Sequence, residues 1–212
     1  TTDQLVALSA GQVAAMESND VAALTTDQLV VLTSGQIAAL TTNQFSHMTT
    51  EQVAALTTDQ LVKVTTKDLA ALTTEQVRAL TTDQLGALLD SQVRALKPAH
   101  ISALTSDQMA GLGATQLGAL TVDQTKALGS TQISGLSTTQ VTAITNKDLA
   151  AMSYAQLNMF STDQIAALGN GQVSALRSMQ VANLNVDLFT ALTTTQIPAL
   201  TTGQSINLAT RQ

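Results

Sequence analysis

Cysteine and tryptophan are absent from this chain of 212 residues, which has one tyrosine and three phenylalanines. Without cysteine there can be no disulfide, no thiolate metal site and no cysteine nucleophile. Charged residues make up 11%, and nine lysines and arginines are scattered under a net charge of −6. A chain with neither a basic stripe nor aromatic stacking platforms is not suited to nucleic acid, so we expect no such partner.

Long apolar runs are also lacking, although 44% of the residues are hydrophobic. No stretch of about 18 consecutive apolar residues occurs, so we expect no membrane span. No basic segment precedes an apolar run, so no signal peptide is expected. The chain opens at Thr1, and we interpret it as a processed product or a piece of something longer.

What the sequence does contain is one repeat of eight residues, from TTDQLVAL at the start to TTGQSINL and a final ATRQ. The frame never slips, so the sequence predicts a single continuous array over 1–212, of 26.5 repeats, without separate domains. We number the positions of each repeat as slots 1 to 8, and the consensus is T-T-x-Q-h-x-A-L with h aliphatic. Slot 4 is glutamine in 21 of 26 full repeats. The exceptions are Asp20, Asp68, His100, Asp148 and Leu188.

An eight-residue period excludes one long helix, because each repeat would rotate its apolar pair by about 80° from the last. Strands are disfavoured, since apolar slots 5 and 8 are an odd number of residues apart. The Thr-x-x-Gln pattern is instead that of a capping box at a helix N-terminus. Leu24 before Thr25 and Leu29 within the same helix start form a hydrophobic staple. Each repeat is therefore predicted to be one very short capped helix followed by a corner.

Helices this short are marginal alone, so the repeats must pack together. We predict an all-α solenoid in which slots 5 and 8 line the interior and alanine at slot 7 allows close approach. Slot 6 is predicted to lie where turns touch, and slots 1 to 3 to face corners and water. Irregular repeats recur every 80 residues, as in TTKDLAAL (65–72) and TNKDLAAM (145–152). This favours about three helices per turn, and duplication of an 80-residue cassette is the alternative.

Few side chains point to chemistry. His47 and His100 are the only histidines, they occupy different slots, and neither lies in a His-Glu-x-x-His spacing. We interpret His100 as a substitute for the slot 4 glutamine and His47 as a surface residue. Asp20, Asp68 and Asp148 are interpreted as alternative capping carboxylates, with a cation-binding face as the other hypothesis. The sequence predicts no catalytic, cofactor-binding or metal-binding residues, no cofactor, and no enzyme.

The repeats TTDQLVAL, TTEQVAAL and TTTQIPAL resemble Thr- and Gln-rich octapeptide repeats of very long bacterial secreted or cell-surface proteins, described as adhesin-like. The resemblance covers the whole chain and implies an extracellular, structural or adhesive setting. Thr-Thr pairs could meet a glycan, another surface or a protein, or accept O-linked glycans. Since slot 1 caps the helix, the simpler interpretation is that slot 2 merely tolerates threonine.

Solenoids usually carry polar capping repeats, and none is evident at Thr1 or Gln212. We therefore expect end-to-end self-association or flanking repeats of a longer chain. Head-to-tail contacts that do not close form filaments. The sequence predicts a structural module of an extracellular fibre, filament or stalk. The alternative is a binding scaffold that recognises a peptide, a glycan or a surface through its Thr-rich face.

Overall fold

The computed structural model describes residues 1–209, and side chains as far as Ile206. The predicted half-repeat 209–212 lies, apart from the backbone of Ala209, outside the described residues. The chain divides into two compact units, which are Thr1–Leu104 and Thr105–Gln212. Each consists of successive short helices, and the described residues contain no strand. The predicted all-α class is confirmed.

Nearly every repeat contains one α-helix of four to six residues, which begins at slot 2. In the first compact unit the helices are α1 (Thr2–Val6), α2 (Ala10–Ala14), α3 (Ser18–Ala22), α4 (Thr26–Val30), α5 (Ser34–Ala39), α6 (Thr42–Ser46), α7 (Thr50–Ala55), α8 (Thr58–Leu61), α9 (Thr66–Ala71), α10 (Thr74–Ala79), α11 (Thr82–Ala87), α12 (Asp90–Ala95) and α13 (Pro98–Ala103).

The second compact unit repeats the same arrangement until its last two repeats. Its helices are α14 (Ser106–Gly111), α15 (Ala114–Gly118), α16 (Val122–Lys126), α17 (Ser130–Ser134), α18 (Thr138–Ala143), α19 (Asn146–Ala151), α20 (Tyr154–Leu157), α21 (Thr162–Ala167), α22 (Asn170–Ala175), α23 (Ser178–Ala182), α24 (Val186–Thr190), the 3₁₀ helix η1 (Ile197–Ala199) and α25 (Thr202–Ala209). The repeat with η1 departs from the predicted α-helix. It contains Pro198, whose missing N–H and ring clash disfavour an α-helix interior.

The capping box sets where each helix begins. In repeat 4 the Thr25 hydroxyl accepts from the Gln28 backbone N–H at 3.2 Å, and the Gln28 side-chain oxygen accepts from the Thr25 N–H at 2.9 Å. Two of the N–H groups that a helix start leaves unpaired are thereby satisfied, which confirms the predicted box. Where slot 1 has no hydroxyl, as at Leu89, its backbone N–H still donates to the glutamine, Gln92.

The corner between helices is made of extended backbone. In repeat 7, slot 8 residue Leu56 has φ −55° and ψ 135°, and the following Thr57 has φ −71° and ψ 157°. No residue of the described chain 1–209 has a positive φ. Glycine is therefore not needed to turn the chain, and threonine or serine can stand at slot 1 and cap the next helix.

Helices three repeats apart pack against each other within each compact unit, as α2 with α5, α7 with α10 and α16 with α19. Such contacts make each compact unit a solenoid with about three helices per turn, as predicted. Slots 5 and 8 fill the interior: Leu61, Leu69 and Leu85 at slot 5 are fully buried. Slots 1 to 3 are largely exposed, so these predictions from the repeat pattern are confirmed.

Slots 6 and 7 lie where successive turns meet. Asn158, at slot 6, donates its amide to the Asn183 carbonyl, at slot 7 three repeats later, at 2.8 Å. A Cβ on Gly135, at slot 7, would lie 2.5 Å from the Ser106 carbonyl oxygen, so side-chain volume is excluded there. The predicted contact at slot 6 and close approach at slot 7 are confirmed at these positions, although most slot 6 side chains stay half-buried or exposed.

Candidate functional site: the inter-turn glutamine bridge

The glutamine at slot 4 is the polar side chain that recurs most regularly along the chain. Slot 4 glutamines are buried from Gln36 onwards in the described chain, whereas Gln4 and Gln12 are exposed. Burial of a primary amide costs free energy unless its donors and acceptor are bonded. The capping box uses only the oxygen, so the nitrogen needs acceptors elsewhere.

Those acceptors are backbone carbonyls of the repeat that lies four repeats earlier in the chain. The Gln52 amide nitrogen donates to the Val21 carbonyl at 2.9 Å and to the Leu24 carbonyl at 2.7 Å. In the second compact unit Gln172 does the same to Val141 at 3.1 Å and Ile144 at 2.8 Å. Carbonyls at the C-terminal end of a helix lack partners within the helix. One glutamine therefore caps the start of its own helix and the end of another, and we call this arrangement the glutamine bridge.

The bridge recurs along both compact units with nearly constant geometry. Its members with both slot 5 and slot 8 acceptors are Gln36, Gln44, Gln52, Gln60, Gln84, Gln92, Gln140, Gln156, Gln164, Gln172, Gln180, Gln196 and Gln204. Helix contacts join repeats that are three apart, and the glutamine bridge joins repeats that are four apart. One turn of the solenoid therefore contains between three and four repeats.

His100 reproduces the bridge with an imidazole. The Lys97 backbone N–H donates to Nδ1 at 3.2 Å, and the ring also bonds the Leu72 carbonyl, which is slot 8 four repeats earlier. This requires the neutral ring with its proton on Nε2, so that Nδ1 can accept. The interpretation of His100 as a glutamine substitute is confirmed by these partners. His47 is exposed, as interpreted.

Protonation of His100 is expected to weaken the fold. Burial lowers the pKa of the His100 imidazole, and the nearby Lys97 charge lowers it further, against a raising effect of the Leu72 hydrogen bond. The unfolded chain thus binds this proton more readily, so stability falls as the pH drops below about 6.5 towards the folded pKa. Urea unfolding between pH 8 and pH 5 should show a smaller loss of stability in His100→Gln than in the unaltered chain. Equal pH dependence in the two proteins would contradict this.

The aspartates at slot 4 keep the cap and lose the bridge. The threonines still cap these helices, because the backbone N–H groups of Asp68 and Asp148 donate to the Thr65 and Thr145 hydroxyls, each at 3.2 Å. The two carboxylates accept from those hydroxyls and not from the slot 1 backbone N–H, so no capping box forms and their interpretation as capping carboxylates is not confirmed. A carboxylate has no N–H to donate to carbonyls. Asp20 is exposed. Leu188 has no polar group, and Asn185 caps that helix by accepting from the Leu188 N–H at 2.8 Å.

Sequence reasoning assigned glutamine to capping and missed its second role. The sequence did contain a signal for this role. Glutamate also completes a capping box, yet slot 4 never contains glutamate and almost always contains glutamine, which indicates that the amide N–H group is needed. Groups of three or more His, Cys, Asp or Glu suited to a metal ion are lacking among the described residues. None of the helices in the described chain is long and apolar enough to cross a membrane.

Comparison with known proteins agrees with the repeat. No curated protein sequence matches the chain. A family model described as the ALTTAQ repeat matches residues 13–50, 32–66, 61–98, 91–122 and 141–178. Its letters correspond to slots 7, 8, 1, 2, 3 and 4, as in Ala55-Leu56-Thr57-Thr58-Asp59-Gln60. These segments cover more than half of the residues and contain most of the bridging glutamines, and the chain therefore belongs to the ALTTAQ repeat family.

Proposed function

We propose that this array is a structural repeat module that forms an extracellular fibre, filament or stalk by end-to-end stacking of its turns. The observation that supports the proposal is the glutamine bridge, because the same donors and acceptors join repeats four apart in both compact units. Each turn therefore presents the donors or acceptors that a further turn needs in order to stack on it. The proposal assigns the chain no catalytic reaction, and its extracellular setting rests on the resemblance of the repeats to those of secreted proteins.

The amide nitrogens of Gln4 and Gln12 have no acceptor among the described residues. The Gln12 oxygen accepts from the Ser9 N–H at 2.8 Å, while its amide nitrogen has no acceptor among the described residues. Gln4 and Gln12 are both exposed. In a stack these amides would meet slot 5 and slot 8 carbonyls of another copy. Such a contact is heterologous and does not close on itself, so it propagates.

Electron microscopy across a concentration series tests the proposal. We expect filaments that lengthen with concentration for the unaltered chain. The double variant Gln4→Glu and Gln12→Glu keeps both oxygens for capping but turns carboxylates towards the incoming carbonyls, so it should give discrete particles with an unchanged helical spectrum. Discrete particles of the unaltered chain at every concentration, or filaments unaffected by the double variant, would contradict end-to-end stacking.

A binding scaffold is the second candidate, and one depression favours it. Lys126, Ser153 and Arg177 line an open depression of about 620 Å³ in the second compact unit. Two cations and a hydroxyl suit an anionic glycan better than a neutral one. Binding of heparin-like but not of neutral oligosaccharides by the discrete particles, and its loss in Lys126→Ala with Arg177→Ala, would support this candidate over a fibre.

A further inference from the structure

Two exposed cations, Lys126 and Arg177, line the open depression of the second compact unit. The Arg177 Nε–H donates to the Ala150 carbonyl. The two terminal NH₂ groups of Arg177 and the Lys126 ammonium have no partner among the described residues. Terminal NH₂ groups of arginine can bind a carboxylate through two parallel hydrogen bonds. The depression therefore presents two charges that suit a ligand with carboxylates.

The two cationic groups lie on neighbouring helices. The Arg177 side chain reaches α19 through the Ala150 carbonyl, and Lys126 is the last residue of α16. Helix α16 packs against α19. Since the axes of packed helices are about 8–10 Å apart, a matching ligand would carry carboxylates at about that interval.

Charge is unevenly distributed along the chain. Residues 1–62 contain six aspartates and glutamates and no lysine or arginine, whereas residues 63–212 contain nine acidic and nine basic residues. The net charge of −6 is therefore that of the first 62 residues alone. Carboxylates that lack a cation nearby in sequence are concentrated in this part of the first compact unit.

Three of these carboxylates form a regular column. Asp3, Asp27 and Glu51 are exposed slot 3 residues of α1, α4 and α7, and we call them the acidic stripe. Helix α1 packs against α4, and α4 packs against α7, so the carboxylates recur at the interval of packed helices. Glu75 on α10 continues the column, but Arg78 lies in the same helix and can pair with it.

We propose that the depression lined by Lys126 and Arg177 binds the acidic stripe of a second copy of this chain. This lateral contact goes beyond end-to-end stacking, because it uses neither Gln4 nor Gln12. Its basis is charge complementarity at matching intervals, with two cations about one helix apart facing carboxylates that are also one helix apart. Such a contact would join stacked or single copies side by side.

Sedimentation velocity of the full chain tests the lateral contact at about 10 mM and about 1 M salt, between which the Debye length falls from about 30 Å to about 3 Å. The unaltered chain should associate at low salt, and the association should weaken at high salt. Salt has this effect because the proposed contact is made by exposed charges.

Charge reversal gives the sharper readout. Lys126→Glu with Arg177→Glu, and separately Asp27→Lys with Glu51→Lys, should each weaken association at least about tenfold, because like charges then face each other. An equimolar mixture of these two double variants should associate again, since the reversed depression then meets the reversed stripe. Restored association would also show that both variants fold.

Asp163→Lys with Asp187→Lys is the matched control. These aspartates are exposed slot 3 residues of the packed helices α21 and α24, and they lie outside the acidic stripe. The control makes the same charge change as the stripe variant and should not weaken association.

Three results would overturn the lateral contact. The first is association that persists in both double variants, which would belong to end-to-end stacking because neither variant alters Gln4 or Gln12. The second is a mixture of the two variants that stays dispersed. The third is an unaltered chain that binds heparin-like oligosaccharides at the depression but does not associate at low salt.

Discussion

Gln52→Glu is expected to destabilise the array by about 3 kcal/mol or more, although it changes one side-chain amide to a carboxylate of the same size. Glutamate keeps an oxygen for the Thr49 N–H, which donates to Gln52 at 2.8 Å. It loses both donors to Val21 and Leu24 and turns a buried negative charge towards their carbonyls. Urea unfolding followed by circular dichroism gives the change, and hydrogen exchange should localise lost protection to repeats 3 and 7.

Gln12→Glu is the matched control for this prediction. Gln12 has the same slot and the same capping bond, from Ser9, but it is exposed and its amide has no acceptor among the described residues. In the unstacked chain, at a concentration below that at which filaments form, its substitution should change stability by no more than about 0.5 kcal/mol, as is usual for surface positions. If both variants lost the same stability, capping alone would account for the glutamine, and the bridge would contribute nothing.

Thr125→Val is expected to stabilise the second compact unit by about 1–3 kcal/mol. Thr125 stands at slot 5, where other repeats place an apolar residue, and it is 1% exposed. Its hydroxyl is the one buried side-chain polar atom without a hydrogen-bond partner among the described residues. Valine has the same shape without the hydroxyl, so the unfavourable burial is removed. The Thr125 carbonyl, which accepts from Gln156 at 3.1 Å, is unaffected.

Thr142→Val provides the comparison for Thr125. Thr142 is exposed at slot 6, and its hydroxyl donates to the Thr139 carbonyl at 2.7 Å. Here the same substitution should leave the unfolding midpoint nearly unchanged or lower it slightly. A midpoint for Thr125→Val at or below that of the unaltered chain would show that the slot 5 hydroxyl has a partner in solution.

The local structure followed from the sequence because capping and burial are encoded within one repeat. Thr25 and Gln28 lie three residues apart, and their two bonds need only the helix start that they define. Leu29 and Leu32 had to be interior, since no other side chains of repeat 4 bury comparable apolar area. The number of helices per turn was accessible only through a second signal, the recurrence of irregular repeats every 80 residues.

The bridge could not be predicted in the same way, because its two ends are about thirty residues apart in sequence and one end is backbone. The Val21 and Leu24 carbonyls have no sequence signature, so nothing in repeat 3 marks them as acceptors for Gln52. Side-chain length and an N–H donor decide which residues can serve. His100 fulfils both requirements and Asp148 fulfils neither, which is visible only once the turn has closed.

The most direct test of the glutamine bridge is nuclear magnetic resonance of the side-chain amides of Gln52 and Gln12. Our account predicts slow solvent exchange of the Gln52 amide protons, with scalar couplings across the hydrogen bonds to the Val21 and Leu24 carbonyl carbons, and fast exchange without such couplings for Gln12. Equal and fast exchange of both amides, with no coupling at Gln52, would show that turns are not joined through glutamine and would contradict the account.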